Sequence, residues 1–187
     1  MVNLCLQEVA EQNIGLSVIP AGTGNDFIDG GTGADSVLAG DGNDTISNGF
    51  VGADAADSIM GGNGDDQISS GNTGNDTVLG GAGNDSVLGS SGHDSIIELD
   101  SDDAGNDTLS GGAGNDTIDG AAGNDSITGG FSSDSILGGD GLDTIYGGNG
   151  DDTILGGNDS DRIYAEAGND SIDAGAGTGD SVRYNQG

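Results

Sequence analysis

The chain contains no lysine and no tryptophan, and it has one cysteine and one proline among its 187 residues. Aromatic residues make up only 3%, so the large side chains that usually fill a hydrophobic core are missing. The single cysteine, Cys5, excludes an intramolecular disulfide. No run of about 20 apolar residues occurs, so no transmembrane helix is predicted. The fold must be held together by something other than a large core or disulfides.

Positive charge is also scarce. Two basic residues, Arg162 and Arg183, stand against 33 Asp and Glu, which gives a formal net charge of -31. Such a chain does not bind nucleic acid or an anionic membrane by electrostatic attraction. Its natural counter-ions are hard cations such as calcium, which take several oxygen ligands from carboxylates and backbone carbonyls. With 41 glycines, the chain is either disordered or ordered by something it binds.

A fixed period argues against disorder. An Asp closes each of 17 glycine-rich turns, and twelve of the sixteen spacings between these Asp residues are nine residues long. The longer spacings only lengthen a turn. A constant short period predicts a solenoid, in which each repeat stacks on its neighbours. The 17 residues are Asp26, Asp35, Asp44, Asp57, Asp66, Asp76, Asp85, Asp94, Asp107, Asp116, Asp125, Asp134, Asp143, Asp152, Asp161, Asp170 and Asp180.

Each Asp is followed by three residues that predict a short strand with an aliphatic centre. Side chains alternate in direction along a strand, so we expect the central residues to form one narrow core. The preceding residue is Ser or Thr in fourteen repeats and should face outward. The predicted core residues are Ile28, Val37, Ile46, Ile59, Ile68, Val78, Val87, Ile96, Leu109, Ile118, Ile127, Ile136, Ile145, Ile154, Ile163, Ile172 and Val182.

The turns follow the pattern G-x-G-x-D. Eight of them keep both glycines and five keep only the second. Glycine suits a tight turn that needs a positive φ and no Cβ in the way. Asn or Asp precedes the final Asp in ten repeats, and we expect these residues to adopt the left-handed region as well.

The full unit G-G-x-G-x-D-x-U-x stands at residues 80–88 and 147–155, and it resembles the calcium-binding nonapeptide repeat of the RTX, or hemolysin-type, family. The resemblance implies an all-β fold, a right-handed parallel β-roll (β-solenoid) with two repeats per coil. It also implies several Ca²⁺ ions between turns stacked on the same edge. Stacked carboxylates repel one another, and a shared divalent cation removes this repulsion. We expect residues 21–187 to form the roll of about 17 repeats. Residues 1–20 are predicted to form an N-terminal cap, with a helix over residues 3–12 and a short strand.

The resemblance places the calcium ligands in the turns, as carboxylates of the Asp residues and as backbone carbonyls. The ligand residues implied in this way are Asp26, Asp35, Asp44, Asp66, Asp76, Asp85, Asp94, Asp107, Asp116, Asp125, Asp143, Asp152 and Asp170, with Gly22, Gly24, Gly31, Gly33, Gly81, Gly83, Gly112, Gly114, Gly148 and Gly150. The turns that end at Asp57, Asp134, Asp161 and Asp180 lack the second glycine, and we expect weaker or empty sites there.

Two four-residue insertions, near 49–56 and 98–104, should bulge from the edge of the roll. Asp100, Asp102 and Asp103 in the second insertion are either an extra set of acidic ligands or a solvated loop.

A second, short resemblance concerns the first 27 residues. Residues 19–27 read I-P-A-G-T-G-N-D-F, which is similar to a segment of diacylglycerol-kinase-like lipid kinases. That family carries a nucleotide loop G-G-D-G-T just upstream, which this chain lacks, and Arg162 and Arg183 are few cations for ATP phosphates. We therefore assign Asp26 to the first calcium turn and expect no catalysis by this segment. Coincidence and a remnant of gene fusion both remain open explanations.

The residue after the core aliphatic is apolar in six of the eight even repeats. These residues are Leu38, Met60, Leu79, Ile97, Leu137 and Leu155. One interpretation is an apolar stripe that docks a fused domain or a second copy of the chain. The other is that these side chains fold over the strand ends and pack within the roll.

The function that the sequence favours is a calcium-binding β-roll module that folds on binding Ca²⁺ and serves as a structural or secretion-associated domain. The resemblance implies an extracellular location reached by type I secretion. The sequence contains no nucleophile with a base and no paired catalytic carboxylates outside the repeats, so no enzyme is predicted. The alternatives are a calcium-dependent ice-binding or adhesin-type β-solenoid, for which the outward turn positions are irregular, and an inactive fragment of a lipid-kinase fusion.

Overall fold

A computed structural model describes residues 17–48, 55–71, 73–98 and 105–184. These residues form strands, turns and bends, and none of them lies in a helix. The prediction of an all-β fold is confirmed. The predicted helix over residues 3–12 lies outside the described residues, as do Asp100, Asp102 and Asp103 of the second insertion.

Eighteen strands follow one another in chain order. They are β1 (Ser17–Thr23), β2 (Phe27–Ile28), β3 (Asp35–Asp41), β4 (Thr45–Ser47), β5 (Ser58–Asn63), β6 (Gln67–Ser69), β7 (Thr77–Ala82), β8 (Ser86–Leu88), β9 (Ser95–Ile97), β10 (Thr108–Ala113), β11 (Thr117–Asp119), β12 (Ser126–Phe131), β13 (Ser135–Asp140), β14 (Thr144–Asn149), β15 (Thr153–Asn158), β16 (Arg162–Ala167), β17 (Ser171–Asp173) and β18 (Ser181–Tyr184). The odd strands form one nine-stranded sheet, sheet 1, and the even strands form another, sheet 2.

Successive coils stack in register through parallel pairing. Each strand from β1 to β16 pairs with the strand two places further along the chain, and all of these pairs are parallel. In sheet 2, for example, Ile127 is opposite Ile145, which is opposite Ile163. Two repeats therefore complete one coil, and the described chain is a parallel β-solenoid of about nine coils.

The core consists mainly of one large aliphatic side chain per strand, and β3 and β16 add a buried alanine. Fifteen of the 17 predicted core residues, from Ile28 to Ile163, are 0–3% exposed. The last two, Ile172 and Val182, are partly buried and pack against the same cluster. The prediction of a single narrow core between the sheets is confirmed.

Most strands of sheet 1 and several of sheet 2 are longer than the three residues predicted. β7, for example, runs from Thr77 to Ala82. Its pairing with β5 continues into the turn, where Gly81 is opposite Gly62. The first half of such a turn thus continues the backbone pairing of the strand. Sequence alternation cannot reveal this extension, since glycine carries no side chain to alternate.

Residues 17–20 form the first part of β1, which pairs with β3 from Ser17 opposite Asp35 to Thr23 opposite Asp41. Ile19 and Ala21 pack against the core cluster. This strand is the outermost strand of sheet 1. The proposed division into a cap over 1–20 and a roll from 21 onward stays a prediction.

The six apolar residues of the even repeats lie on odd-numbered strands, because β1 precedes the strand of the first repeat. They are on the outer face of sheet 1. Leu38, Met60 and Leu155 are 39–45% exposed, and none of the six belongs to the buried core cluster. Leu38, Met60, Leu79 and Ile97 are opposite one another in turn, as are Leu137 and Leu155, and Asp119 lies between the two groups. They do not pack inside the roll, so that interpretation is wrong. Docking of a partner on this face stays a prediction.

The outer face of sheet 2 carries an aromatic stack near the end of the roll. The rings of Tyr146 and Tyr164 lie 4.7 Å apart at an interplanar angle of 9°. The guanidinium of Arg183 lies 5.5 Å from the centre of the Tyr164 ring. In-register stacking thus brings side chains of consecutive coils into contact on the outside as well as on the inside.

Replacing Ile127 by alanine should lower the free energy of unfolding by about 2–5 kcal/mol, because its fully buried side chain leaves a cavity between two neighbouring coils. The matched control is Leu155→Ala on the outer face, which should cost less than about 1 kcal/mol. Urea unfolding with calcium present measures both. Equal losses for the two variants would contradict the assignment of the core to the inner faces.

Candidate metal centre

Each turn of the regular kind has six positions, of which the sixth is the Asp. In the turn Gly80–Asp85, for example, Gly80 is position one and Asp85 is position six. Turns that lead from sheet 1 to sheet 2 stack along one edge of the roll, which we call edge 1. Turns that lead from sheet 2 to sheet 1 stack along the other, edge 2.

Positions two and four require a backbone that ordinary residues rarely adopt. Gly81 has φ of +112° and Gly83 has φ of +132°. A Cβ on Gly81 would lie 2.1 Å from the carbonyl oxygen of Gly62, and one on Gly83 would lie 2.2 Å from that of Gly64. The two glycines of G-x-G-x-D therefore allow the turns of successive coils to approach closely.

Position five does not adopt the left-handed region, so the expectation for Asn and Asp there is wrong. Among the described residues, the non-glycine residues with positive φ are Ser90, Ala121, Ser132, Asp159 and Glu166, which occupy positions two and four. The position-five side chains instead form a hydrogen-bonded ladder on the surface. The N–H groups of Asn106 and Asn124 donate to the Oδ1 atoms of Asn84 and Asn106 at 3.0 and 2.9 Å.

His93 occupies position five in the corresponding ladder on edge 2. It is exposed, and its Nδ1 accepts a hydrogen bond from the N–H of Asn115 at 2.8 Å. Its own N–H donates to Oδ1 of Asn75, also at 2.8 Å. The histidine therefore substitutes for asparagine as a link between coils.

The position-six aspartates form two further ladders, one on each edge. The backbone N–H of each Asp donates to Oδ1 of the Asp one coil further on, as from Asp134 to Asp152 at 2.9 Å. Fifteen such bonds of 2.6–3.3 Å run along the two edges. Twelve of the thirteen aspartates predicted as ligands are buried, and Asp170 is half-buried. The structure thus collects them in two columns.

The second carboxylate oxygen is the unusual atom of the site. In nine turns Oδ2 of the Asp is buried and accepts no hydrogen bond from the described residues. These residues are Asp26, Asp44, Asp66, Asp94, Asp116, Asp134, Asp143, Asp152 and Asp161. A buried anionic oxygen without a donor costs several kcal/mol, so it must be protonated or bound to a cation.

A backbone carbonyl oxygen lies beside the Oδ2 atom in six of these nine turns, those of Asp66, Asp94, Asp134, Asp143, Asp152 and Asp161. The place where a Cβ on Gly61 would stand lies 2.4 Å from Oδ2 of Asp66 and 2.5 Å from the carbonyl oxygen of Gly80 in the next coil. The same pair of oxygens converges at Gly129, with Oδ2 of Asp134 at 2.4 Å and the carbonyl of Gly147 at 2.6 Å. Carboxylate and carbonyl oxygens together are the donor set that calcium prefers.

Among the described residues, no three His, Cys, Asp or Glu side chains converge on one point. Backbone carbonyls must therefore complete any coordination shell in these turns. Calcium fits this requirement, because it accepts six to eight oxygens in flexible geometry, whereas magnesium demands a near-ideal octahedron and retains water. The residues present fit Ca²⁺.

Burial raises the pKa of several of these aspartates, and the charges of neighbouring aspartates add to the shift, as in the four that follow. Burial, together with the charges of Asp76 and Asp116, raises the pKa of Asp94 to about 7, although the N–H bond from Asp76 opposes the shift. The pKa of Asp134 is raised to about 7 for the same reasons, and those of Asp66 and Asp143 to about 6. Where no cation is bound, these four carboxyl groups therefore take up a proton at a higher pH than an ordinary aspartate does.

Position one contains two functional residues that the sequence reasoning did not identify. Glu98 is 2% exposed, and its Oε2 accepts the N–H of Gly81 at 3.0 Å. Both of its carboxylate oxygens lie within 2.5 Å of where a Cβ on Gly80 would stand, and Oδ2 of Asp85 lies 2.7 Å from the same place. This turn therefore contains two carboxylates. The other residue is Asn48, which is fully buried. Departure from glycine at position one is the sequence signal that could have found both.

Two of the turns that lack the second glycine keep the regular backbone. Ser132 and Asp159 occupy position four with φ of 78° and 72°. Oδ2 of Asp134 and of Asp161 is as buried and unbonded as in the complete turns. Weaker binding at these two turns stays a prediction, and its physical basis is the strain of a side chain at positive φ.

The kinase-like segment lies in the first turn of the roll. Gly22 and Gly24 have φ of +114° and +112°, as in the other turns. The N–H of Asp26 donates to Oδ1 of Asp44 at 2.8 Å, which makes Asp26 the first member of the edge 1 ladder. The geometry of residues 22–26 is that of a repeat turn.

In the presence of a chelator, acidification should fold the roll. Because the folded-state pKa values are raised, their contribution to stability is present below the ordinary pKa near 4 and is lost as the pH rises through 6–7. We expect the β-sheet circular dichroism signal of the metal-free chain to increase from pH 8 to pH 5. With calcium bound, the pH dependence of folding should reverse, since only ionised carboxylates bind calcium.

Salt provides the control for this pH effect. At about 1 M NaCl the Debye length is roughly 3 Å, so repulsion between exposed charges is largely screened. Salt should nevertheless not fold the metal-free chain as acid does, because the carboxylates concerned are buried. If salt restores the β-sheet circular dichroism signal of the metal-free chain as well as acid does, the pH dependence comes from general charge repulsion and not from these aspartates.

Comparison with known proteins identifies the repeats. The family model of the RTX calcium-binding nonapeptide repeat matches residues 20–51, 50–72, 68–96, 101–136, 128–163 and 146–179. None of the curated proteins matches the chain. In the part of the chain that the structure describes, no helix is long and apolar enough to cross a membrane. The matched segments cover most of the sequence and coincide with the coils and their aspartate ladders, and the chain belongs to the RTX calcium-binding nonapeptide repeat family.

Proposed function

We propose that this chain is a calcium-folded β-roll module, in which Ca²⁺ bound by the stacked turns of both edges supplies the free energy of folding. The observation that carries the proposal is the set of nine buried Oδ2 atoms that accept no hydrogen bond from the described residues. The two arginines, Arg162 and Arg183, and the single histidine, His93, are exposed and too few to neutralise two columns of buried aspartates. The compensating charge must therefore come from solution.

Linkage explains how weak sites can hold the fold. A cation that binds only the folded chain stabilises it by RT ln(1 + [L]/Kd), which is about 1 kcal/mol per site when its concentration is about five times Kd. Sites of this kind repeat along both edges, so their contributions accumulate over the roll. Folding should therefore respond steeply to calcium, although each single site is weak.

A module with this response suits an extracellular role. The charge of -31 keeps the metal-free chain expanded by self-repulsion. Extracellular modules typically bind calcium in the range of about 10⁻⁴–10⁻³ M. We propose that the chain is exported before it folds, by type I secretion, and folds on meeting calcium outside. There it acts as a structural, non-enzymatic part of a secreted protein.

Glu98 should make one turn the strongest of the series. Its carboxylate and that of Asp85 lie against the same glycine, so this turn offers two negative charges where a regular turn offers one. Affinity for calcium increases with the number of charged ligands, within the limit set by their mutual repulsion. We infer that the turn Gly80–Asp85 binds calcium at a lower concentration than the regular turns do.

Calcium titration tests the proposal. Far-UV circular dichroism and sedimentation velocity should show a cooperative gain of β structure and a compaction near millimolar calcium, with no response to magnesium at the same concentration. A chain that is already folded in chelator at neutral pH would overturn the proposal. In that case a metal-independent solenoid, such as an ice-binding one, would be tested next by thermal hysteresis.

Two neighbouring substitutions separate ligand loss from charge loss. Asp152 is 1% exposed with an unbonded Oδ2, whereas Asp151 is exposed and its Oδ1 accepts the N–H of Asn169 at 2.8 Å. Both Asp152→Asn and Asp151→Asn remove one negative charge without changing the shape of the side chain. We expect only Asp152→Asn to raise the calcium midpoint, by about twofold or more, and to remove a bound ion. Equal midpoints for the two variants would argue against position six as the ligand.

A further inference from the structure

Asn48 occupies position one of its turn, which is glycine in most of the other turns. Position one is glycine in ten of the 17 turns, but in the edge 2 turn that ends at Asp57 it is Asn48. This residue directly follows β4 and is 0% exposed. In regular turns such as those that begin at Gly61 and Gly129, the Oδ2 atom of the aspartate and a carbonyl oxygen of the next coil lie in front of position one. Here that space must also accommodate an amide.

The amide makes a hydrogen bond that the nine turns named above do not have among the described residues. Nδ2 of Asn48 donates to Oδ2 of Asp57 at 2.7 Å. Oδ1 of Asp57 accepts the backbone N–H of Asp35 at 2.6 Å, as the ladder requires. Both carboxylate oxygens of this aspartate thus accept hydrogen bonds from the protein. In the nine turns described above, Oδ2 accepts none.

The other end of the amide faces the preceding turn on the same edge. Oδ1 of Asn48 lies 1.7 Å from where a Cβ on Gly30 would stand, and it accepts no hydrogen bond from the described residues. Gly30 is position one of the turn that ends at Asp35. Asn48 therefore presents N–H donors to its own turn and a bare oxygen to the turn before it. A cation is repelled by the first arrangement and attracted by the second.

We propose that Asn48 satisfies the carboxylate of Asp57 without a cation, its amide N–H taking the place that calcium has in the regular turns, while its Oδ1 serves as an additional oxygen ligand for the turn Gly30–Asp35. This inference rests on the proposed function, since it assumes that the regular turns bind calcium. Ala55 in place of the second glycine is consistent with a turn that takes no ion. The edge 2 series of ions is then interrupted between Asp35 and Asp76, where a neutral amide and a carboxylate join the coils.

Native mass spectrometry of the calcium-saturated chain tests the inference, since it counts single bound ions. Asn48→Asp replaces the donor by a second carboxylate with almost the same shape, and Asn48→Gly restores the regular turn. Each variant should bind one ion more than the parent chain. Identical ion counts in the parent and in both variants would overturn the proposal.

Asn63→Asp is the matched control. The Asn63 amide also donates to an aspartate, Oδ1 of Asp41 at 2.8 Å, but this pair lies exposed on the surface. Its replacement makes the same change in charge and should leave the ion count unchanged. A gain of one ion in this control as well would show that added surface charge, and not the Asp57 turn, recruits the extra ion.

Amide hydrogen exchange of the parent chain provides a second test, which does not depend on how the variants fold. The side-chain N–H protons of Asn48 should exchange at least tenfold more slowly than those of exposed Asn63 in the calcium-loaded protein. Equal exchange rates would overturn the inference even if the chain binds calcium. A parent chain that binds no calcium would instead refute the proposed function, while slow exchange at Asn48 would still establish its bond to Asp57.

Discussion

The structure depends on one constraint, the stacking of buried aspartates at the spacing of parallel strands. Neighbouring strands lie about 4.8 Å apart, so each turn places its carboxylate directly beside the one in the next coil. One oxygen of each carboxylate is used by the backbone ladder, as Oδ1 of Asp152 is used by the N–H of Asp134. The other oxygen is left in a buried position among like charges. A chain with no lysine cannot compensate this charge internally, so its fold is tied to cations in the solution.

The thin core makes this dependence possible. Each repeat buries one aliphatic side chain, such as Ile127 or Ile145, and has almost no aromatic residue to add to it. Each coil contacts only its neighbours, so no distant contact can hold a coil whose edges repel. The ladders of position five, which link exposed residues such as Asn84 and Asn106, fix the register of the turns but carry no charge to offset the aspartates. The core sets the register of the coils, and the edges decide whether the coils stay together.

Variation at a single turn position gives the two edges different properties along the roll. Glycine at position one leaves the carboxylate open towards a cation. Glu98 adds a second carboxylate at Gly80, and Asn48 satisfies Asp57 with an amide. All three solutions keep the hydrogen bonds of the aspartate ladder. A repeat protein can therefore change the number of metal ions that it binds, one turn at a time, without changing its fold.

The sequence by itself determined the solenoid, the core aliphatics and the aspartate of every turn, because a nine-residue period with glycine at fixed places is a local pattern and is read directly from the chain. It could not assign Asn84 to a surface ladder, place Glu98 in the turn of Asp85, or show that Asn48 satisfies Asp57. The tertiary structure decided these roles. The ladder and Glu98 contacts join residues about one coil apart, and the Asn48 bond spans an inserted turn. Such contacts exist only when stacking has fixed which turns lie side by side and how far each buried side chain reaches.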